Sequence, residues 1–330
     1  MDNYYQRNLI IKKTNVKPMH TKQNYNLSNK SINQYQIIIE RLHLKYAGKK
    51  FNYNIKNVFE NDDVNLLNLI LQDMKYLNYK FIQKLKDDYK NETTFKTYLI
   101  PIVKLLSYSD SAKYNKLYRY YGSYMIDSNN KYEKERNDNY ISEENKNKII
   151  TDFSNETLLK NIEKLDDINN KLIYALYTLI PPRRLEYANM LIINKSKKIN
   201  NKDNYLVIYR GNPVKVIFQD YKTNRTFGKQ EYDIPDELGK IIKKYIYKNK
   251  LKSGEKFLQY NEKYLSEVIG KVFNKIYGEK INLNYIRKSY ATYINDMKIS
   301  NNQKELLAEQ MGHSLSQSMR YKKIIINPNP

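Results

Sequence analysis

Leu306-Leu-Ala-Glu-Gln-Met-Gly-His-Ser-Leu-Ser-Gln-Ser-Met-Arg-Tyr321 is the most informative stretch of this sequence of 330 residues. Its first residues favour a helix. Gly312 predicts where that helix ends, because glycine readily adopts the left-handed backbone that closes helices. His313 comes directly after this glycine, and Tyr321 follows after one short loop as the last of 34 tyrosines. The pattern therefore predicts a histidine at a helix end and a tyrosine close behind it.

Three further motifs precede this stretch in the chain. The first is Pro181-Pro-Arg183-Arg-Leu-Glu186, which contains an Arg-x-x-Glu pattern and which we expect to open a helix. The second is Tyr221-Lys222-Thr223, at the turn that leads to Asp233-Ile234-Pro235. The third is Asn284-Tyr-Ile-Arg287. Each motif is weak by itself, because Arg-x-x-Glu and Gly-His occur by chance in many proteins, but their common order is much more specific.

In this order the motifs resemble the catalytic domain of tyrosine recombinases, the phage-integrase family. The family pattern has an Arg-x-x-Glu, a Lys on a β-hairpin, a His-x-x-Arg, a Leu-Gly-His and then a nucleophilic Tyr. The resemblance covers roughly residues 140 to 321, and the helical first half looks like the family's core-binding domain. It implies a protein that cuts and rejoins DNA strands through a 3′-phosphotyrosyl intermediate.

The resemblance also implies roles for individual side chains. Attack of a phenol oxygen on a DNA phosphodiester builds negative charge on the nonbridging oxygens, and fixed cations stabilise that charge. The forked guanidinium groups of Arg183 and Arg287 suit this task better than an ammonium group does. By the family pattern, Lys222 protonates the leaving 5′ oxygen, His313 donates a hydrogen bond to the phosphate, and Tyr321 is the nucleophile. Because the phosphotyrosyl bond conserves the energy of the phosphodiester, neither a cofactor nor a metal is expected.

The sequence departs from the family pattern in two places. Asn284 stands where the family has His or sometimes Lys, and an amide can hydrogen-bond a phosphate but cannot take up a proton. Asn284 is therefore a candidate catalytic-site residue without a general-base role. Two prolines replace the small residues that precede the first arginine of the family, and Arg184 lies next to Arg183. We assign the catalytic role to Arg183 because of its spacing to Glu186.

The composition favours a polyanionic partner. The chain has 58 Lys and Arg residues against 35 Asp and Glu, which gives a net charge of +23 and an isoelectric point near 9.6. Such an excess favours binding to nucleic acid or to an anionic membrane. Part of it can also reflect the AT-rich codons of Lys, Asn, Ile and Tyr, which point to a virus or mobile element with an AT-rich genome. Since no amphipathic helix of the membrane-surface type is identifiable, we expect double-stranded DNA as the partner.

The sequence also excludes several classes of protein. It has no Cys and only three His, so disulfides, thiolate metal sites, cysteine nucleophiles and histidine-rich metal centres are not expected. We identify neither an apolar run long enough to span a membrane nor a signal peptide. We therefore expect an intracellular protein that acts wherever its target DNA lies, in the host cytoplasm, a viral factory or the nucleus.

Polarity and periodicity divide the chain into segments. Residues 1–30 are polar, basic and aperiodic, as in a flexible arm. Residues 31–126 have helical periodicity and are predicted to form a core-binding domain that clamps DNA. The charged stretch 127–139 fits a solvated linker. Residues 140–330 form the predicted catalytic domain with its C-terminal tail, in which residues 324–330 are candidates for docking on a neighbouring protomer.

The clearest helical stripe of the first half runs from Phe95 to Leu106, where apolar residues recur at intervals of three and four. Thr93 or Thr94 is its predicted cap. Pro101 falls inside the stripe and is expected to kink or split the helix. Further helices are predicted around residues 37–44 and 66–85.

In the second half, Ser142 is the predicted cap of a helix, and helices continue to about Ile180. Residues 205–234 change to strand character, with a turn at Gly211-Asn-Pro and a second turn before the last strand. Helices then return, and Ser300 begins a capping box. The expected fold class is mostly α with a small antiparallel β-sheet, in the two-domain architecture of tyrosine recombinases: a helical core-binding domain and an α/β catalytic domain.

Together, the motifs and the family resemblance predict a site-specific DNA recombinase or integrase. The resemblance also implies that it acts as a homo-tetramer on two DNA sites. Two alternatives stay open. A type IB topoisomerase would use the same residues to nick and reseal one duplex without strand exchange. A catalytically decayed relative would bind DNA without cutting it, and Asn284 would then mark the loss of activity.

Overall fold

The computed structural model describes residues 27–137, 143–197, 199–200 and 202–322. The chain divides into two compact units, with the division between Glu135 and Arg136. Each unit has its own hydrophobic core. Most of the predicted arm, residues 1–26, and the tail, residues 324–330, lie outside the described residues.

The described part of the first unit is helical. Its helices are α1 (Asn29–Ala47), α2 (Ile55–Asn61), α3 (Val64–Asp73), α4 (Phe81–Asp88), α5 (Glu92–Leu106) and α6 (Ala112–Asn137). The start of α1 is fixed by the Ser28 hydroxyl, which accepts a hydrogen bond from the Ser31 backbone N–H. The last two residues of the predicted arm therefore belong to a helix.

The predicted stripe of the first half forms α5. Besides Pro101, the buried residues of this helix are Phe95, Leu99, Ile102, Val103, Leu105 and Leu106. The prediction of the cap was wrong by two to three residues, because the Asn91 side chain accepts from the Thr94 backbone N–H at 3.0 Å. The helix is not split at Pro101 but continues to Leu106. Pro101 is itself buried, so packing of the helix on the core offsets the backbone hydrogen bond that a proline lacks.

The predicted linker is largely helical. Helix α6 runs without interruption to Asn137, through most of the charged stretch 127–139. Lys, Glu and Arg favour helices even where no apolar stripe is present, and Ser128 in this stretch is 1% exposed and donates a hydrogen bond to Glu92 of α5. The polar composition therefore did not imply an absence of regular structure over residues 127–137.

The second unit combines helices with a four-stranded sheet. Its helices are α7 (Asn155–Glu163), α8 (Ile168–Leu176), α9 (Asn224–Phe227), α10 (Asp236–Lys248), α11 (Glu262–Tyr277), α12 (Leu283–Asp296), α13 (Asn301–Gln310) and α14 (Leu315–Tyr321). Its strands are β1 (Leu191–Asn194), β2 (Tyr205–Tyr209), β3 (Asn212–Phe218) and β4 (Gln230–Asp233). Short 3-10 helices lie at Glu143–Lys148 and Glu186–Asn189. The fold class, mostly helical with one small sheet, is as the sequence predicts.

The sheet is mixed rather than antiparallel. Strands β2, β3 and β4 pair antiparallel as predicted, but β1 adds to the edge of the sheet in parallel with β2. The sequence did not indicate β1, because four residues show no clear alternation. The turn between β2 and β3 consists of Arg210 and Gly211, both with positive φ, so it begins one residue earlier than predicted.

Two other local predictions have different outcomes. The residues after Ser142 form a short 3-10 helix instead of an α-helix, and Ser142 itself lies outside the described residues. The capping box at Ser300 is confirmed: its side chain accepts from the Gln303 backbone N–H, and the Gln303 side chain accepts from the Ser300 backbone N–H. This cap fixes the start of α13, the helix that leads to the candidate site.

Candidate functional site

The site is built around the corner between α13 and α14. Gly312 has a φ of +71°, and the His313 backbone N–H donates to the Ala308 carbonyl at 3.0 Å, which closes the helix end as the sequence predicts. His313 is fully buried. Ser314 then caps α14 by accepting from the Gln317 backbone N–H at 3.2 Å. Because α14 is short, Tyr321 returns to the corner, and its ring lies 4.6 Å from the His313 ring, centroid to centroid.

Arg287 connects this corner to the rest of the unit. It lies on α12 and is 1% exposed. Its guanidinium donates to the carbonyl oxygens of Pro182 and, at 3.0 Å, of Met311, and it also contacts His313 Nε2. Since a guanidinium has donors only, Nε2 accepts in this contact and the proton of a neutral His313 ring is on Nδ1.

The electrostatic surroundings of Arg287 are unfavourable to its charge. Burial lowers the pKa of the guanidinium to about 9, and the nearby guanidinium of Arg184 adds to this effect. Glu186 and Tyr321 act in the opposite direction but are weaker influences than Arg184 or burial. A bound anion would favour the charged form of Arg287, so the site is electrostatically suited to one.

The two adjacent arginines lie in different environments. Arg183 is 1% exposed and points into the protein, where it donates to the side chain of Gln230 at 2.7 Å and to the carbonyl of Gln310 at 2.8 Å. Arg184 is partly buried, and its Nη2 lies 3.4 Å from His313 Nε2. The prediction that this segment opens a helix holds only in part, because residues 181–185 are irregular and the helix that follows is a short 3-10 helix at Glu186–Asn189.

Lys222 lies in the connection between β3 and β4, as predicted for a hairpin lysine, and its side chain is exposed. The connection is held by buried Asn204, whose Oδ1 accepts from the backbone N–H groups of Gln219 and Asp220 at 2.8 and 2.9 Å. Next to Lys222, the Thr223 hydroxyl donates to the Gly312 carbonyl at 3.1 Å. The structure therefore attaches the lysine-bearing connection directly to the helix end that carries His313.

Asn284, like Lys222, is a predicted site residue whose side chain has no hydrogen bond to the cluster among the described residues. It is exposed in the first turn of α12, three residues before Arg287. Among the described residues its side chain has no hydrogen bond. It can contact a ligand that approaches this end of the helix, and its amide can donate or accept hydrogen bonds but cannot take up a proton.

The sequence did not predict the contact of Arg184 with His313, the hydrogen bond of Thr223 to Gly312, or the hydrogen bonds that Gln230 and Gln310 accept from Arg183. Only Arg184 had a visible signal, its position beside Arg183. The part of the chain that the structure describes contains no group of three or more His, Cys, Asp or Glu side chains placed to hold a metal ion. Within the same residues, no helix combines the length and hydropathy needed to cross a membrane.

No protein-family model and no curated protein matches this chain. Among solved structures it is similar to a crystal structure of XerA recombinase, with 12% sequence identity and a TM-score of 0.38. The alignment covers 90% of this chain and 88% of the XerA chain.

Proposed function

We propose that this chain is a tyrosine-type site-specific recombinase, an enzyme that breaks and rejoins DNA strands. The observation that carries the proposal is the environment of His313. Its ring packs on the ring of Tyr321, and its Nε2 faces the guanidinium groups of Arg184 and Arg287. A phenol nucleophile, an imidazole and two guanidinium groups around one point are suited to phosphoryl transfer from DNA to tyrosine.

In the proposed reaction, a bond forms between Tyr321 Oη and the scissile phosphorus while the bond from phosphorus to the 5′ oxygen breaks. Lys222 gives a proton to that oxygen, which leaves as a 5′ hydroxyl. The phenol proton passes to water, because the amide of Asn284 cannot accept it. Attack of a 5′ hydroxyl on the 3′-phosphotyrosyl bond reverses these steps and joins the strands without a cofactor.

The charge that develops on the nonbridging oxygens is stabilised by Arg287, His313 and one arginine of the Arg183–Arg184 pair. Once a phosphate oxygen accepts the guanidinium hydrogen bonds, Nε2 of His313 no longer receives them and can donate to the phosphate from its other tautomer. Asn284 adds a neutral hydrogen bond to the DNA backbone. The order of the motifs in the sequence supports all of these assignments, and the contacts around His313 support those of Arg287, His313 and Tyr321.

The proposed partner is double-stranded DNA, contacted by both units through its phosphates. Strand exchange would use a homo-tetramer on two DNA sites, with the first unit as the core-binding domain and the second as the catalytic domain. A virus or mobile element with an AT-rich genome is the proposed source. A type IB topoisomerase and a non-cutting DNA-binding relative are the outcomes that the following experiment separates from this proposal.

The test is to trap the covalent intermediate. The full chain is incubated with a pool of nicked duplexes of randomised sequence, in which cleavage releases a short strand and so prevents rejoining. The duplex that it binds most tightly is recovered from the pool and is called the selected duplex. We expect adducts that survive SDS, with the DNA attached to Tyr321 by mass spectrometry. Tyr321→Phe should form no adduct while it binds the selected duplex nearly as tightly as the parent, because only the nucleophilic oxygen is lost and the ring still packs on His313.

Tyr293→Phe is the matched control, since it removes a phenol oxygen from α12 in the same unit and should leave adduct formation unchanged. Tight binding by the parent without any adduct on the selected duplex would contradict the proposal and favour the non-cutting relative. Adducts together with relaxation of supercoiled DNA, but without joining of two duplexes, would favour the topoisomerase.

A further inference from the structure

The Arg183–Arg184 pair presents two guanidinium groups near Gly312, and only one of them is available to a ligand. A Cβ atom at Gly312 would lie 3.6 Å from Arg184 Nη1 and 3.7 Å from Arg183 Nη1. Both arginines therefore reach the corner that carries His313. Their spacing in the sequence favours Arg183 as the phosphate-binding residue, whereas their environments in the structure favour Arg184.

Arg183 is engaged by the protein itself. Its guanidinium lies between the rings of Phe218 and Tyr221, at 4.4 and 4.5 Å from their centroids. Its Nη1 donates to Gln230 and Gln310, and its Nη2 lies 4.0 Å from the carboxylate of Glu186. The Nε and Nη2 atoms of Arg183 have no hydrogen bond, but the side chain is 1% exposed, so a phosphate could reach these atoms only if Arg183 or its neighbours moved. The contacts of Arg183 join the β3–β4 hairpin to the end of α13.

Arg184 lies in a different environment, because its side chain is partly exposed whereas that of Arg183 is 1% exposed. Its Nη1 is buried and has no hydrogen-bond partner, although a guanidinium N–H withdrawn from water costs free energy until it is bonded. Its Nη2 lies against His313 Nε2, the same atom that Arg287 contacts. Its charge acts on Arg287 as a nearby like charge, and among the described residues no carboxylate forms an ion pair with either of these two arginines.

Two guanidinium groups beside one imidazole form a positively charged site that is suited to an anion. We propose that Arg184, and not Arg183, contacts the nonbridging oxygens of the scissile phosphate together with Arg287 and His313. Arg183 is a positioning residue that holds the helix end and the lysine-bearing hairpin in place. This inference rests on the proposed recombinase function and deepens it, because it assigns the phosphate contact to one member of the pair.

The test compares Arg183→Met and Arg184→Met, which remove the same charge and donors while keeping an unbranched side chain of similar reach. Each variant is assayed for adduct formation on the selected suicide duplex, once with an ordinary scissile phosphate and once with a methylphosphonate. The methylphosphonate has a methyl group in place of one charged oxygen, so its reaction needs less compensating positive charge. Its two stereoisomers are measured separately, and the melting temperature of each variant is recorded.

We expect Arg184→Met to fold normally and to react about 100- to 1,000-fold more slowly than the parent on the phosphodiester, the usual loss for one donor to a charged transition state. On at least one methylphosphonate stereoisomer its rate should approach that of the parent. Arg183→Met should melt at a lower temperature. Its cleavage rate should fall by a similar factor on both substrates, because the substitution displaces the helix end and the hairpin but removes no charge that contacts the phosphate. If Arg183→Met does not fold, the substrate dependence of Arg184→Met decides the question.

The inference is overturned if Arg184→Met cleaves the phosphodiester at the parental rate, or if it loses the same factor on both substrates. Selective rescue of Arg183→Met by the methylphosphonate would also overturn it and would return the role to Arg183. Failure of the proposed function has a different signature, because the parent protein would then form no adduct on either substrate.

Discussion

Lys222 differs from two other lysines of the β3–β4 hairpin in what it contacts. Lys215 and Lys229 both pair with Glu231, at 2.8 and 2.5 Å. Lys222 is exposed and has no hydrogen bond or ion pair among the described residues. Its ammonium group is therefore free to reach a substrate, and the DNA itself would complete its environment. A cation with no protein partner, next to an anchored turn, is compatible with the proposed role of a general acid that acts once DNA is bound.

This contrast leads to a prediction for Lys222→Ala. Loss of a general acid should slow strand cleavage by about 100- to 10,000-fold on ordinary DNA. A substrate with sulfur in place of the bridging 5′ oxygen should restore much of the rate, because a thiolate leaves without a proton. The measurement is the rate of adduct formation by the full chain on the two substrates.

Lys229→Ala is the matched control for this prediction. It removes an ammonium group from the same connection, but one that is already paired with Glu231, so its cleavage rate should stay close to that of the parent on both substrates. Equal loss on oxygen and sulfur substrates in Lys222→Ala would show that Lys222 binds DNA without donating the proton.

At the scale of elements, the corner between α13 and α14 holds the site together. Gly312 occupies it with a φ of +71°, and a Cβ there would lie 3.1 Å from the Thr223 hydroxyl as well as near both arginines. Gly278 closes α11 with the same φ of +71°, but nothing lies within 4 Å of its Cβ position. The two glycines therefore share the same positive φ and differ in what surrounds them.

We predict that Gly312→Ala and Gly278→Ala lose similar stability but differ in activity. A left-handed alanine costs about 1–2 kcal/mol in either place, which equilibrium denaturation can measure. Only Gly312→Ala also displaces Thr223 and the arginines, so only this variant should lose a large factor in the rate of adduct formation. Equal rates in the two variants would mean that the close packing at Gly312 does not affect catalysis.

The local signals of the sequence predicted those elements whose ends are marked by particular residues. Gly312 and Ser300 predicted α13 correctly because a left-handed glycine and a capping box act within one turn of the chain. Strand β1 was not predicted, since its parallel pairing with β2 depends on residues that lie more than ten positions away. The extension of α6 was missed for a similar reason, because the contact of Ser128 with Glu92 is tertiary.

The candidate site shows the same limit. Spacing was enough to select Arg287, His313 and Tyr321, which the structure brings to one corner. It was not enough to choose between Arg183 and Arg184, because adjacent side chains in an irregular segment point in directions that only the surrounding fold determines.

At the scale of the whole molecule, charge is the dominant feature. The chain has 58 Lys and Arg residues and 35 Asp and Glu residues, which gives a net charge of +23. Most of the ion pairs described in the structure lie on the surface, where such pairs contribute little stability. Because basic residues outnumber acidic ones by 23, many Lys and Arg side chains can contact DNA phosphates. Each phosphate that they neutralise releases condensed counterions.

From this we predict that DNA affinity of the full chain falls log-linearly with salt. With six to ten phosphates neutralised, affinity should drop by about 1,000- to 100,000-fold between 50 and 200 mM salt, as measured by fluorescence anisotropy on a random-sequence duplex. A duplex of the same sequence with an uncharged peptide backbone is the control, since it releases no counterions and should bind weakly at every salt concentration. Melting temperatures over the same range check that the protein stays folded. A flat affinity for ordinary DNA would contradict the prediction, and the AT-rich codon bias would then be a sufficient explanation of the positive charge.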